Sequence, residues 1–547
     1  MIRPLYLAGR LRSFQILALF LVFCILLTSY RSYHGNHPPP SIYDYTDGNT
    51  AETRLNDTST DPKASEEFRY LTDLVHQYGL TKDIPWFAQR IRPTFKSSSR
   101  SSMTKVSTRF LSHGLCRVRT EDDEGLELRA EKALQLSVSK SPTPDQIDAS
   151  SLIFGISTSY DRIVYSNVSL INDWARWLTD GKGRSNGASL VLSLHHASKV
   201  EVGYVSTKMR EVGIDAVVLS NDNHLDITAR YVEMVRMLTH RNEELTKEGQ
   251  EKNLLALVDD DVFFPSLGRL LGEVGKFDAR KNLYLGMPSE AADWTTENNI
   301  TMTYGGGAVF FSVPMAATLS KLPCLKNEGS DEAAYSQGNG QWDELLYSCV
   351  TRHTNEDLDV IPSFYVPKDG HYGLRTGYEG GVQPMTLHHY KHRHRFEPWK
   401  AHMVTSLCGE DCFLQRFWFK DGWILVNGHT ISHYPEGVDV TPLKKSSLLM
   451  TQHNREEREV KTAKRLIVDD VEGRNDRNIV SWTGAKRTWR LIDARIGANG
   501  AVWQAYVKRR GPAISYGDDD DRLPDDKVHT QEKPSDVDSI IVLIWEP

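Results

Sequence analysis

Short apolar runs alternate with helical patterns through the middle of the chain. The runs at 152–156, 190–194 and 216–219 are each ended by turn or polar residues, which is typical of buried strands. Residues 172–178 and 226–249 carry apolar side chains at helical spacing. Alternation of this kind predicts an α/β fold in which a mainly parallel sheet is flanked by helices.

A fourth apolar run, at 254–258, ends abruptly in three carboxylates, Asp259, Asp260 and Asp261. The carboxyl ends of strands form the edge at which open α/β sheets bind ligands. Clustered Asp oxygens there suit Mn²⁺ or Mg²⁺, and such a cation can neutralise a diphosphate. Residues 517–522 are just as acidic but follow no apolar run, so we interpret them as a solvated loop.

Two other interpretations of the Asp triplet are open. The carboxylates can cap the next helix or lie solvated. A phosphatase of the haloacid type also places two Asp after a strand, but a Thr or Val then stands two places after the second Asp. Phe263 occupies that place here, which counts against a phosphatase.

The glycine tract Gly305–Gly307 precedes an apolar run. Three glycines let the backbone approach a ligand without Cβ clashes, although a tight bend between strands explains them equally well. No Gly-Lys-Ser/Thr follows, so the tract is not a phosphate-binding P-loop. Residues 283–286 predict a strand before the tract, and residues 314–322 predict a helix after it.

Residues 341–349 predict the start of a helix, with Trp342, Leu345, Leu346 and Cys349 on one apolar face. Asp343 and Glu344 fall in its first turn, where acids complement the helix dipole. In a functional interpretation Asp343 is a general base. A hydroxyl that attacks an anomeric carbon must lose its proton, and a positioned carboxylate can take it.

Residues 386–390 predict a strand that carries His388 and His389. Adjacent strand residues face opposite sides of a sheet. At most one of the two histidines is therefore expected to serve the same metal as the Asp triplet.

The N-terminal region predicts a membrane anchor. Residues 13–30 contain no charged side chain and are mostly apolar, which is just long enough for a membrane-spanning helix. Three arginines precede this segment, so we expect residues 1–12 in the cytosol and the rest of the chain in a lumen. The alternative is a cleaved signal peptide, but no small-x-small cleavage site follows. Residues 31–149 are rich in polar residues and predict a stem.

The cysteines and glycosylation triplets agree with a lumenal location. Asn56, Asn167 and Asn299 begin N-glycosylation triplets. Five cysteines follow the anchor, where disulfides can persist: Cys116, Cys324, Cys349, Cys408 and Cys412. We expect the bridges Cys324–Cys349 and Cys408–Cys412, and the odd cysteine permits a disulfide-linked homodimer.

The overall charge and the C-terminal composition add two expectations. The net charge is −7 and the pI is about 6.3, which gives no basic surface signal for nucleic acid. Residues 441–547 carry tryptophans and a terminal apolar run and predict a small strand-rich appendage. With residues 150–440 as the catalytic domain, this completes the predicted domain division.

The motifs follow one another in a specific order. They are the Asp triplet after a strand, Tyr-Leu-Gly-x-Pro-Ser-Glu at 284–290, Gly305–Gly307 with an aliphatic tail, an acid six residues before Cys349, and His389 followed by Tyr390. In this order and spacing residues 150–440 resemble the Fringe-like branch of glycosyltransferase family 31, near the core-1 β1,3-galactosyltransferases.

The resemblance implies a Rossmann-like GT-A fold and inverting transfer from a UDP-sugar to a glycan or glycoprotein acceptor, with Mn²⁺ or Mg²⁺ as cofactor. It also implies a type II membrane protein of the Golgi or endoplasmic reticulum. The residues carried over are Asp259, Asp261 and His389 for the metal, Asp259, Asp260 and Gly305–Gly307 for the donor, and Asp343 for the base.

One departure from the family pattern leaves the base open. Family members often have a Gly shortly before the acid pair, whereas here Gly340 lies three places upstream and Trp342 intervenes. Glu344 therefore stays a rival base. A membrane-tethered lectin or chaperone of the same fold, without turnover, is the alternative function, and the donor sugar, acceptor and linkage have no motif that assigns them.

Overall fold

A computed structural model of the protein describes residues 66–96, 99–111, 116–118, 133–166, 169–221, 226–287, 303–323, 341–361, 384–390, 397–442, 478–510 and 537–547. The predicted anchor at 13–30 and the triplets at Asn56, Asn167 and Asn299 lie outside these ranges. Within them, no helix combines the length and apolarity needed to cross a membrane.

The strands are numbered in chain order. They are β1 Ile84–Lys96, β2 Thr104–Val106, β3 Cys116–Val118, β4 Leu134–Ser139, β5 Leu152–Ser159, β6 Ser189–His195, β7 Ala216–Ser220, β8 Leu254–Val258, β9 Val262–Phe263, β10 Tyr284–Gly286, β11 Val309–Ser312, β12 Asp359–Val360, β13 Leu387–His388, β14 Arg416–Phe419, β15 Trp423–Val426, β16 Thr430–His433, β17 Asp439–Pro442, β18 Asn478–Ser481, β19 Arg487–Ile496, β20 Val502–Lys508 and β21 Ser539–Trp545.

The α-helices are numbered in the same way. They are α1 Glu66–Tyr78, α2 Tyr160–Tyr165, α3 Ser169–Leu178, α4 Lys199–Glu211, α5 Ile227–Lys247, α6 Leu267–Val274, α7 Val313–Leu319, α8 Trp342–His353, α9 Pro398–Ala401 and α10 Thr405–Cys408.

A seven-stranded sheet has the order β12-β10-β11-β8-β5-β6-β7. Strands β8, β5, β6 and β7 are parallel, and β11 runs antiparallel between β8 and β10. The predicted mainly parallel sheet is therefore confirmed. Ile156 pairs with Val258, so the residues that follow both strands meet at one edge, and the Asp triplet lies there.

Apolar side chains cover both faces of this sheet. Phe154 packs edge-on against Trp177 of α3, with ring centroids 4.9 Å apart. On the opposite face Ile153 lies in one cluster with Met234 of α5. A Cβ on Gly155 would come within 2.7 Å of Met234 Cγ, so glycine is required there for α5 to pack closely. The helices flank the sheet as predicted.

A ten-stranded sheet joins both ends of the chain. Its path is β2-β14-β15-β16-β19-β20-β21-β1-β3, and β4 also pairs with β1. The predicted division into a stem at 31–149 and a small appendage at 441–547 does not follow this sheet, because strands from both regions hydrogen-bond to each other. The sequence pattern hid β1, since Pro85 and Pro93 interrupt its alternation and prolines are uncommon inside strands.

Helix α1 covers one face of the ten-stranded sheet. Tyr70 is 1% exposed and lies edge-on to Trp503 with ring centroids 5.5 Å apart. The Arg495 guanidinium lies 4.1 Å from the Tyr70 ring centroid, a cation–π contact. Residues predicted to be stem therefore belong to a packed core.

A disulfide joins Cys408 to Cys412, which confirms that predicted bridge. The other predicted bridge involves Cys324, which lies outside the described residues. The short loop closed by the Cys408–Cys412 bridge presents Glu410 to the first turn of α6. Its carboxylate accepts hydrogen bonds from Leu267 N at 3.0 Å and Gly268 N at 2.9 Å.

Glu410→Ala should lower the free energy of unfolding by about 2–4 kcal/mol, because it leaves buried helix donors without their acceptor. Glu410 is only 4% exposed, so water does not readily replace it. Equilibrium urea unfolding measures the change. Glu243→Ala, at an exposed position of α5, is the matched control and should change stability by less than about 0.5 kcal/mol. Equal stabilities for the two variants would contradict the capping role.

Candidate active site

A two-stranded ribbon brings the histidines to the Asp triplet. The chain turns after β8 through Asp259–Asp261 and enters β9, which pairs antiparallel with β13. His388 is the register partner of Val262, the residue after Asp261. Residues far apart in sequence therefore meet at the carboxyl edge of the parallel strands.

Asp261 is the centre of a three-residue group with His388 and His389. The distance from Asp261 Oδ1 to His388 Nε2 is 3.2 Å, and Asp261 Oδ2 lies 2.7 Å from His389 Nδ1. One potential ligand atom from each residue lies within 4.8 Å of the others. Burial raises the pKa of Asp261, but hydrogen bonds from both histidines outweigh it and lower the pKa below its ordinary value.

The expectation that only one histidine faces the triplet is wrong. Strand β13 ends at His388, and His389 adopts φ 53°. A residue in this left-handed region breaks the alternation of side chains along a strand. Both imidazoles consequently lie on the side of Asp261, with ring centroids 3.7 Å apart.

Tyr304 holds the second nitrogen of His388. Its hydroxyl lies 2.7 Å from His388 Nδ1, which leaves Nε2 directed at the carboxylates. Contacts of this kind fix the ring orientation of metal-binding histidines. Sequence reasoning considered His388 but assigned the metal to His389 alone. It gave Tyr304 no role, although Tyr304 directly precedes the glycine tract.

Asp259 borders the group without belonging to it. Its Oδ1 accepts from Tyr231 OH at 2.9 Å and from Trp342 Nε1 at 3.3 Å. Its Oδ2 is 3.6 Å from His388 Nε2. The Tyr231 and Trp342 rings stack with centroids 4.1 Å apart, so Asp259 connects the triplet to helix α8.

Asp260 is buried and does not belong to the three-residue group. It accepts a hydrogen bond from Thr158 Oγ1 and lies 2.5 Å from Arg162 Nε. Burial raises its pKa to about 6. Trp174 Nε1 also donates to the Asp260 carbonyl at 3.1 Å. The structure therefore places this predicted donor-binding residue in the packing that holds the turn.

Asp343 lies at the start of α8 and is 4% exposed. Its Oδ2 accepts from Gly305 N at 2.7 Å, and its Oδ1 accepts from Glu344 N at 3.0 Å. Burial raises the pKa of Asp343 to about 7, where a carboxylate is an effective base at neutral pH. Glu344 is partly exposed, so the two rival bases differ in environment.

The glycine tract forms one buried 3₁₀ turn between these groups. A Cβ on Gly305 would come within 2.3 Å of Trp342, and one on Gly306 within 2.4 Å of His388 Nδ1. Side chains are therefore excluded by neighbouring residues of the site. The tract positions Asp343 on one side and His388 on the other, which is a packing role beyond the tight bend considered from sequence.

Asp173 of α3 anchors the chain on both sides of residues 391–396, which lie outside the described ranges. Its Oδ2 accepts from Tyr390 OH at 2.8 Å, and its Oδ1 accepts from Trp399 N at 3.3 Å. Asp173 is fully buried. It thus holds the residue that directly follows His389, and no sequence signal marked it.

Searches with the sequence found no matching family model and no match among curated proteins. Solved structures with partial similarity include glycosyltransferases and a 4-diphosphocytidyl-2C-methyl-D-erythritol synthase from Anaerococcus prevotii. The chain is similar to glycosyltransferase GlyE of Streptococcus pneumoniae TIGR4, with 12% identity, TM-score 0.27 and coverage of 43% of this chain and 53% of that one. The match therefore spans about half the length of GlyE.

Two further matches span nearly the whole length of the solved structure. Mouse xyloside xylosyltransferase 1 matches with 11% identity and TM-score 0.26, over 43% of this chain and 96% of that one. A glycosyltransferase involved in glycosylation of the major capsid of PBCV-1 matches with 8% identity and TM-score 0.22, over 44% and 92%.

Proposed function

We propose that this protein is a metal-dependent glycosyltransferase that uses a UDP-sugar. The observation that carries the proposal is the double contact of one glycine turn. Gly305 N donates to Asp343, and Gly306 abuts His388. A buried base and a cation-binding group thus lie on either side of three residues, as transfer between a diphosphate donor and a hydroxyl requires.

Asp261, His388 and His389 would hold the cation. One carboxylate and two imidazoles form a borderline donor set, which suits Mn²⁺ better than Mg²⁺. A bound divalent cation supplies charge neutralisation at a diphosphate leaving group. Tyr304 keeps His388 oriented for this role, and Asp259 adds a second negative charge beside it.

Asp343 would take the proton from the acceptor hydroxyl. With a pKa of about 7 it is largely ionised above neutrality yet still basic enough to accept a proton. The oxygen of the acceptor then attacks the anomeric carbon as the bond to the diphosphate breaks. This single displacement inverts the anomeric centre and needs no covalent intermediate. The proposed acceptor is a glycan or glycoprotein.

A phosphatase and a lectin are less well supported. In the phosphatase arrangement Asp259 would be the nucleophile, but Tyr231 and Trp342 both donate to it, which lowers its nucleophilicity. Binding of a glycan without turnover does not require a buried carboxylate with a raised pKa, such as that of Asp343. The location that we propose, in Golgi or endoplasmic reticulum membranes, rests on residues 13–30 and on the expected acceptor.

UDP release by the purified full-length protein tests the function. We expect release from one member of a UDP-sugar panel in Mn²⁺, slower release in Mg²⁺, and none in EDTA. UDP binding without turnover, across donors and varied acceptors, would favour the lectin. Phosphate release from monoesters would favour the phosphatase.

A further inference from the structure

Arg162 reaches the same carboxylates from a different element. It lies in α2, directly after β5, and its backbone N donates to Ser159 Oγ at 3.1 Å. Its Nε lies 2.5 Å from Asp260 Oδ2, and its Nη2 lies 3.3 Å from Asp261 Oδ2. The guanidinium therefore spans two members of the triplet.

The Arg162 side chain is 53% exposed, whereas those of Asp260 and Asp261 are 9% and 14% exposed. The guanidinium thus covers the carboxylates on the solvent side. It has five N–H donors in a planar fork, and the two carboxylate contacts occupy only part of them. A ligand arriving from solvent at this edge meets Arg162 before it meets Asp260.

Asp261 Oδ2 is shared between two basic groups, Arg162 Nη2 and His389 Nδ1 at 2.7 Å. A divalent cation held by Asp261 and the histidines would therefore bind the same carboxylate that the guanidinium contacts. A UDP diphosphate adds further negative charge to a site that already holds three aspartates. One divalent cation does not offset all of that charge. A guanidinium fork is well matched to phosphate oxygens.

We propose that Arg162 binds the diphosphate of the nucleotide donor and competes with the divalent cation for Asp261. The inference rests on the proposed function, because it assumes a nucleotide diphosphate at this edge. It assigns Arg162 a direct contact with the substrate. If Arg162 served only as a structural counter-ion for Asp260 and Asp261, it would make no contact with the nucleotide, and its removal would not weaken nucleotide binding.

The two roles predict opposite changes in UDP affinity for Arg162→Gln. If Arg162 binds the diphosphate, removing it weakens UDP binding by about tenfold or more, the scale of one charge-assisted hydrogen-bonded contact. Removing a competing positive charge should at the same time tighten Mn²⁺ binding several-fold. If Arg162 were only a counter-ion, Arg162→Gln would leave the carboxylates more negative, so Mn²⁺ and Mn²⁺–UDP would both bind more tightly.

The experiment is calorimetric titration of the full-length protein with Mn²⁺ alone and with UDP at saturating Mn²⁺. Arg162→Lys keeps the charge but loses the fork, and we expect intermediate UDP affinity. Arg184→Gln is the matched control, because Arg184 is 77% exposed and pairs with Asp180 instead of the triplet. Thermal unfolding verifies that each variant is folded.

Weaker UDP binding together with tighter Mn²⁺ binding in Arg162→Gln supports the proposal. Unchanged or tighter UDP binding overturns it while the proposed function stands, provided that the wild type binds UDP. Weaker Mn²⁺ binding overturns the competition and makes Arg162 a support of the Asp turn. A wild-type protein that does not bind UDP with Mn²⁺ overturns both the inference and the proposed function.

Discussion

Asp261→Asn should abolish detectable UDP release, with turnover reduced by at least about a hundredfold. Among the residues that the structure describes, Asp261 is the carboxylate that contacts both His388 and His389. Replacing it removes the anionic ligand of the proposed cation. That cation would supply roughly several kcal/mol of charge stabilisation at the leaving group. UDP release in Mn²⁺ measures the loss, and Mn²⁺ titration should show that affinity falls with it.

The chain supplies a control of the same chemistry. Asp519→Asn alters one carboxylate of the second acidic run at 517–522, which follows no apolar strand segment, and activity should stay at the wild-type level. If Asp261→Asn keeps Mn²⁺ affinity and turnover, the cation site lies elsewhere. If both variants lose activity equally, acidic charge in general is required and the specific role fails.

Asp343→Asn should lower turnover by about a thousandfold, in the middle of the range for loss of a general base. Asparagine is nearly isosteric, and its carbonyl oxygen can still accept from Gly305 N, whereas its amide nitrogen cannot accept from Glu344 N. The binding of UDP and Mn²⁺ should therefore change by less than about threefold, so the loss should fall on kcat. Glu344→Gln is the control and should retain most activity; the reverse result would make Glu344 the base.

The pH dependence provides a second signature of Asp343. Because the base must be ionised, kcat/KM should fall about tenfold per pH unit below a midpoint near 7. The same shift affects stability. The folded-state pKa lies above that of an exposed aspartate, so folding favours the protonated carboxyl. Its stabilising contribution is present at acid pH and is lost as pH rises through 7.

In EDTA, the unfolding temperature of the wild type should therefore fall relative to that of Asp343→Asn as the pH rises from 3 to 8. The wild type should be most stable relative to the variant near pH 3, because the wild-type carboxyl is then largely protonated in both states. Scanning calorimetry at the two pH values measures this. An equal difference at both pH values would show that packing, and not ionisation, separates the variants.

Local patterns were sufficient to predict the parallel sheet and the strand before Asp259. The runs at 152–156, 190–194 and 254–258 became β5, β6 and β8, since buried parallel strands are nearly continuous apolar segments. The helix at Asp343 was also predicted, because its apolar face repeats at helical spacing. These features depend on neighbours in sequence, so periodicity reveals them.

The missed features depend on contacts between distant segments. The joint role of the two histidines needs the positive φ of His389, which no alternation rule predicts. Asp173 gains its role only when α3 packs beside Tyr390. Strand β1 finds partners from far along the chain, and its prolines and charges conceal it among polar residues.

The parallel pairing of β1 with β21 has a consequence for biosynthesis. Trp86 through Ile91 register with Ile540 through Trp545, so β1 must wait for a strand that is synthesised several hundred residues later. The seven-stranded sheet can form earlier from nearer segments, whereas the ten-stranded sheet cannot close until β21 has been synthesised. Until then the edge of β1 that pairs with β21 is exposed, and we expect nascent chains to depend on chaperones over that interval.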